Sequence, residues 1–208
     1  TYSYSGCGGG PHAVCNAGGK SYVYDANGSM TQVNINNALE TDVRYTAFNK
    51  ASYMAKGNYA ITFNYDADRQ RNYRSRVQGY SVDLQTYYVG INGSGAKLFE
   101  REVSTATGTK DIHYIYGAGN QAVATHITEG SNKRTEYLHR DHLGSVALVT
   151  NDAGAAVNDV VSFDAFGARR NSDWTDNSNP SALPPIVGNI GFTGHESITE
   201  IGLVHMNG

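Results

Sequence analysis

Turn signals recur along this chain at such short intervals that only short strands fit between them. Tyr22-Val23-Tyr24-Asp25 runs into Ala26-Asn27-Gly28, an alternating segment that ends in an Asn-Gly turn. Phe63-Asn64-Tyr65-Asp66 repeats the aromatic-x-Tyr-Asp pattern and leads into Ala67-Asp68-Arg69, so the two Tyr-Asp pairs stand 41 residues apart (24 and 65). Phe163-Asp164-Ala165-Phe166-Gly167 is a third, looser copy. Side chains alternate along a strand, which puts Tyr22 and Tyr24 on one face and Val23 and Asp25 on the other. Further strands are expected at 86–90, 97–103, 112–116, 122–128, 137–143, 145–150 and 157–163. Asn92-Gly93, Gly117 to Gly119, Glu129-Gly130 and Asp152 to Gly154 punctuate them. No window sustains apolar residues at i, i+3, i+4 and i+7, so helix is expected to be scarce. The pattern predicts an all-β fold of antiparallel hairpins stacked into a strip or partial shell.

Composition agrees and removes several function classes. The 208 residues include 24 Gly, which suit tight turns, and 15 Tyr, which bury a ring while leaving a hydroxyl wet. The formal charge is −3 with no clustered Lys/Arg, which argues against a nucleic-acid surface. No apolar run approaches the roughly 20 residues of a spanning helix, so no membrane span is expected. The opening Thr1-Tyr2-Ser3-Tyr4 lacks the basic and apolar regions of a signal peptide and has no Met. The sequence is therefore expected to be a portion of a longer protein. Cys7 and Cys15 are the only cysteines. They suit either a short disulfide loop in an exported protein or two free thiols, and with His12 they make a zinc set that lacks a fourth ligand. Residues 171–189 hold Trp174 and three of the four prolines, Pro180, Pro184 and Pro185. That stretch is expected to leave the sheet as a surface insertion, or as a plug built on Trp174.

A resemblance to a known family rests on an ordered set of motifs. Pro11-His12-Ala13-Val14 followed by Tyr22-x-Tyr24-Asp25-Ala26-Asn27-Gly28 resembles the YD-repeat region of Rhs (rearrangement hot spot) proteins. Tyr137-Leu138-His139-Arg140-Asp141-His142-Leu143-Gly144-Ser145 is similar to the signature of the Rhs-associated core, and Phe163 to Gly167 follows at the matching place. Phe192-Thr193-Gly194-His195-Glu196, Glu200-x-Gly202-Leu203 and His205 to Gly208 resemble the end of that core. The likeness is patchy over 11–135 and nearly continuous after it. It implies a YD-repeat region at 1–135 and a core segment at 136–208, joined in one continuous sheet.

The resemblance further implies a hollow β-shell that encloses a toxic C-terminal domain of the same polypeptide. Such shells release their cargo by aspartate-dependent self-cleavage, at an arginine-tyrosine-aspartate-proline stretch that would follow Gly208. No catalytic residue is therefore assigned to this chain, and no cofactor or metal is expected. The chain is expected to be made in the cytoplasm and then exported or displayed at the cell surface. Its implied partners are the toxin domain, a secretion apparatus and, indirectly, an immunity protein. Two rival readings are a cell-surface array that binds glycans or a protein, and a part of the self-cleaving core.

The chemistry-bearing residues divide along the same lines. His139 and Asp141 share a strand face with His142 opposite, so they suit either a structural His-Asp hydrogen bond or a metal site completed by His113, His126 or His195. Asp25, Asp66 and Asp164 each follow an aromatic residue and precede a turn, where a carboxylate accepts from backbone N–H groups two residues on. The alternative is an acidic ladder for cations. Tyr22, Tyr24, Tyr65, Tyr87, Tyr88, Tyr114 and Tyr116 suit cross-strand packing, or a sugar-stacking surface. His195 and Glu196 are expected either to hold a turn with Gly194 or to meet the aspartate motif of a longer chain. The residues expected to carry the family motif structurally are Tyr24, Asp25, Gly28, Tyr65, Asp66, His139, Asp141, His142, Gly144, Ser145, Asp164, Gly167, Gly194, His195, Glu196 and Gly202. No Gly-x-Ser-x-Gly, phosphate-binding loop or His-Glu-x-x-His occurs.

Overall fold

A computed structural model describes residues 2–90, 96–119, 121–158, 160–179 and 183–205. Strands follow one another in chain order: β1 (Tyr2–Ser3), β2 (Asn16–Ala17), β3 (Lys20–Tyr24), β4 (Met30–Ile35), β5 (Ala38–Tyr45), β6 (Ala51–Lys56) and β7 (Tyr59–Tyr65). They continue with β8 (Arg71–Gln78), β9 (Ser81–Val89), β10 (Phe99–Ser104), β11 (Gly108–Tyr116), β12 (Ala122–Glu129), β13 (Asn132–Arg140) and β14 (Val146–Asn151). These fourteen form one sheet in sequence order, an all-antiparallel meander as the turn spacing predicts. The expected strand at 137–143 ends earlier, at Arg140, where Asp141 opens a turn. The Asn92-Gly93 turn lies outside the described residues.

One turn design recurs, and it explains the Tyr-Asp pattern. At Asp25, Oδ1 accepts from the N–H groups of Asn27 and Ser29, both at 2.9 Å. The Asp25 N–H donates to Ser29 O and the Gly28 N–H to Asp25 O, closing a five-residue loop. Asp66 repeats this with Asp68 and Gln70 (3.0 and 2.8 Å), Asp141 with Leu143 and Ser145 (2.9 and 2.8 Å), and Asp164 with Phe166 and Ala168 (both 2.8 Å). The fourth residue of each loop has positive φ: 82° at Gly28, 60° at Arg69, 86° at Gly144 and 86° at Gly167. Glycine serves there because other residues meet Cβ crowding in that region. Among the described residues three further copies of the loop carry a different first residue: Thr46 (Oγ1 accepting from Lys50 N–H), Asn151 (accepting from Ala153 and Ala155) and Asn171, whose N–H donates to Thr175 O with Trp174 at φ 70°. With Tyr45-Thr46 included, the tyrosines that precede these loops sit at 24, 45 and 65, a repeat of about two strands.

The tyrosine has its own task. Tyr24 Oη donates to Val14 O and Tyr45 Oη to Met30 O, each at 2.8 Å, so each phenol ties its strand to an earlier part of the chain. Burial raises the pKa of both, which keeps the donor protonated.

The chain divides into two compact units, residues 1–64 with 74–82, and residues 65–73 with 83–208. In the first, Val33, Thr41, Val43, Ile61 and Phe63 alternate onto a buried face. Two-residue loops join β4 to β5 and β6 to β7, the first with Asn36 and Asn37 at φ 51° and 62°. Cys7 and Cys15 are joined in a disulfide, which settles the two thiol alternatives.

The second unit adds a layer to its sheet. Ile112, Ile127, Leu138, Val146 and Val149 form a core with Val161, Ile186 and Ile190 from the segment after β14. That segment also covers the β14 edge: Val157 N–H donates to Val149 O (2.9 Å) and Val161 N–H to Ala147 O (2.8 Å). The strand expected at 157–163 is thus regular only at β15 (Ser162–Phe163), which pairs with β16 (Arg169–Arg170). A second hairpin, β17 (Glu196–Ile198) with β18 (Leu203–His205), closes the described chain, and its turn holds Gly202 at φ 69°. Residues 171–179 and 183–189 do leave the sheet, and Trp174 is exposed. The surface-insertion expectation fails at the far end, because Ile186 and Ile190 are buried in the core and carry Gly188 onto Tyr114.

Candidate functional site: a buried ionic cluster under the C-terminal hairpin

The two signature segments, 137–145 and 192–196, meet within the second unit. The Arg140 guanidinium donates to Gly144 O through Nη1 (2.7 Å) and to Ala122 O through Nη2 (3.1 Å), locking the turn that Asp141 opens. Burial lowers its pKa. Ser145 is buried, and its Oγ accepts from the Thr193 N–H at 3.0 Å. Thr193 Oγ1 in turn lies 2.8 Å from His195 Nδ1. Gly194 is in the left-handed region at φ 77°, and a Cβ there would stand 3.5 Å from Arg140 Nη1. His195 therefore belongs to a turn clamp, and the next residue does something else.

Glu196 points into the core and is 5% exposed. Its Oε1 accepts from Tyr88 Oη at 3.0 Å, and its Oε2 accepts from Lys97 Nζ at 3.2 Å and from Arg71 Nη2. Lys97 Nζ also donates to Glu100 Oε2 at 2.9 Å, and Tyr114 Oη donates to the same oxygen at 2.8 Å. The Arg71 guanidinium lies 4.8 Å from the Tyr88 ring centre, and Lys97 Nζ lies 4.9 Å from Tyr88 and 5.4 Å from Tyr114. Tyr116 Oη holds the Lys97 carbonyl at 2.7 Å. Arg71, Lys97, Glu100, Glu196, Tyr88 and Tyr114 thus share one buried site in which cations and carboxylates are paired.

The electrostatics favour that state. Burial works against the Lys97 charge, but Glu100 and Glu196 outweigh it and hold its pKa well above the ordinary lysine value. Burial raises the Tyr88 and Tyr114 phenols, reinforced at Tyr88 by Glu196 and at Tyr114 by Glu100. Glu100 is raised by burial, with Lys97 pulling it back. Both Glu196 oxygens are taken by donors of this chain, so the arrangement is a clasp rather than a poised acid-base pair. It fastens β17 to Arg71 of β8, Tyr88 of β9 and Lys97 just before β10, which lie 125, 108 and 99 positions earlier in sequence. Gly188 completes the fit: at φ 60° it lies so close that a Cβ would come within 1.9 Å of Tyr114 Oη.

The other residues singled out from sequence fall elsewhere. Asp25, Asp66, Asp141 and Asp164 each serve their own turn and form no ladder for cations. His139 Nε2 lies 2.9 Å from Thr150 Oγ1 across the β13–β14 pair, so the expected His139–Asp141 bond gives way, since Asp141 Oδ1 is engaged by Leu143 and Ser145. His142 is exposed in the same turn. Among the described residues no three metal-ligating side chains gather. Of the tyrosines, Tyr88 and Tyr114 are cluster members, while Tyr87 faces out and packs on Tyr73 with ring centres 5.1 Å apart. Gly167 packs close, since a Cβ there would lie 2.9 Å from Phe192. Arg71, Lys97 and Glu100 were not foreseen, and Arg140 was read only as part of the 137–145 signature. The available signal was Glu100 and Glu102 at the phase of β10 that continues the Tyr88 and Ile112 row.

A scan against protein-family models gives no match, and no curated protein is similar in sequence. Solved structures do match. The crystal structure of TcdB2-TccC3-Cdc42 aligns at a TM-score of 0.51 and 16% identity, covering 94% of this chain and 8% of that one. The crystal structure of TcdB2-TccC3-TEV aligns at 0.44 and 15%, and the Photorhabdus luminescens Tc holotoxin pore at 0.44 and 14%, with the same coverage. The chain thus spans under a tenth of the length of these neighbours, and the first of them shows a shared all-β fold.

Proposed function

We propose that this chain is a wall segment of a YD-repeat shell that holds a C-terminal toxin domain of the same polypeptide apart from its producer. In this reading the chain acts without catalysis, is exported or displayed, and reaches neighbouring cells through a secretion apparatus. An immunity protein would protect the producer. The observation that carries the proposal is the Glu196 clasp, which seats the β17–β18 hairpin on a sheet of turn-closed repeats. The fold likeness to a TcdB2-TccC3 structure supports it. Among the described residues no helix is long and apolar enough to cross a membrane.

The test uses the polypeptide that contains this chain together with whatever follows it. Limited proteolysis of the purified protein is expected to spare a C-terminal domain at protease levels that digest that domain expressed alone. Equal digestion rates in the two settings would overturn the encapsulation reading. A glycan array run on the same protein addresses the surface-array alternative, with saturable binding counting for it.

A further inference from the structure

The face of the second unit opposite the ionic cluster carries a histidine pair that the clasp does not use. His113 on β11 and His126 on β12 are direct register partners in an antiparallel pair, and the β-bulge in that pairing lies further along, between Ile115 and Tyr116. Directly opposed residues point to the same side with Cβ atoms about 4.5–5.5 Å apart. Two imidazoles at that spacing can turn their nitrogens onto one ion at the usual metal–nitrogen distance of about 2.0–2.1 Å.

The surroundings orient both rings. Phe99, the register partner of His113 on β10, stacks against it with ring centres 4.8 Å apart and planes tilted by 57°. The His113 ring makes no hydrogen bond among the described residues, so both its nitrogens are open to a ligand. His126 Nδ1 lies 3.4 Å from Thr135 Oγ1 on β13, which leaves Nε2 as its outward ligand atom. Asp111, two residues before His113 on the same face, is engaged by Arg101 through Nε and Nη2, each at 2.7 Å. His139 shares this face but is the register partner of Leu148, so it has no imidazole opposite.

We propose that His113 and His126 form a two-imidazole site for a divalent transition-metal ion of the zinc, nickel or copper type. Imidazole suits these ions, and water would complete the coordination. The bound ion would cross-link β11 to β12 on the exposed face, independently of any enclosed cargo.

Zinc titrated into the 208-residue chain by calorimetry is expected to bind with one site, and copper(II) at one equivalent to show two nitrogen donors by electron paramagnetic resonance. His113→Ala and His126→Gln should each weaken zinc binding roughly tenfold or more and remove one nitrogen from the copper spectrum. Circular dichroism identifies any variant that fails to fold, and His126→Gln keeps a polar atom for Thr135. His139→Ala should leave affinity unchanged. Wild-type affinity in the His113 variant, or a loss in the His139 variant, would overturn the assignment.

Discussion

Removing the Glu196 carboxylate tests the clasp directly. Glu196→Ala removes a carboxylate from the buried Arg71 and Lys97 and strips Tyr88 Oη of its acceptor. Breaking one partner out of a buried ion pair costs about 3–5 kcal/mol, because the charge left behind is not rehydrated. For a chain of this length that corresponds to a fall in Tm of roughly 6–20 °C. The assay is urea unfolding, with hydrogen exchange read at residues 196–205 and at 41–63. Protection should fall at 196–205 and hold at 41–63, since Glu196, Tyr88 and Lys97 lie in the second unit and 41–63 in the first. Glu196→Gln combined with Lys97→Met removes one charge of each sign, so the pair should cost less than the sum of the singles, with a coupling of about 0.5–3 kcal/mol. A Glu196→Ala chain within about 0.5 kcal/mol of wild type, or strictly additive doubles, would refute the reasoning.

Other outcomes follow from the same geometry. Asp141→Ala removes the acceptor of the Leu143 and Ser145 N–H groups and is expected to cost about 1–2 kcal/mol by thermal melt. Asp141→Asn should cost much less, because Asn151 holds an equivalent loop in this chain. Gly188→Ala forces a methyl onto Tyr114 Oη at a positive φ and should cost about 2–4 kcal/mol, with loss of near-ultraviolet dichroism. Tyr88, Tyr114 and Lys97 all have folded pKa values raised above their unfolded ones, so their contribution is complete below those unfolded values and is lost as pH rises through the folded ones. The urea midpoint should therefore fall from about pH 10 upward. At least two tyrosines should ionise only as the chain unfolds, whereas a single common phenol titration near pH 10 would contradict the buried cluster.

The sheet was legible in the sequence because each device that builds it is local. Tyr24-Asp25 and Gly28 specify a strand end and its turn within five residues, and alternation places Val43 or Phe63 inside without reference to distant chain. The copies at Thr46 and Asn151 escaped notice because the loop needs an acceptor at its first position and positive φ at its fourth, not an aspartate. The cluster was illegible for a different reason. Glu100 reads as a solvent-facing residue between Phe99 and Arg101, yet its carboxylate is buried on Lys97 and Tyr114, and Lys97 is shared with Glu196, 99 residues further on. The ends of signature segments were visible at Ser145 and His195, but their meeting through Thr193 depends on how residues 186–190 fold back onto the core.

A repeating sheet raises a problem of place that the cluster solves. The strands of a meander are about 4.7–4.9 Å apart, and every second strand presents a similar face, so an apolar cover could dock one hairpin further along at small cost. The row that runs through Tyr88 and Glu100 continues, by register, to Ile112 and Ile127. Shifted by two strands, Glu196 would lose Tyr88 and the Lys97–Glu100 pair and face Ile112 and Ile127, which are fully buried and apolar. An unpaired carboxylate there costs several kcal/mol, or must take up a proton. The net worth of the clasp over a well-packed apolar contact can be close to zero and still exclude that alternative, since its penalty falls on the wrong register. Replacing Glu196, Lys97 and Glu100 together by Leu or Met therefore keeps much of the stability and loosens the register. Its signature is a second set of amide signals for residues 196–205 in heteronuclear spectra. A single, unshifted set would show that packing alone places the hairpin.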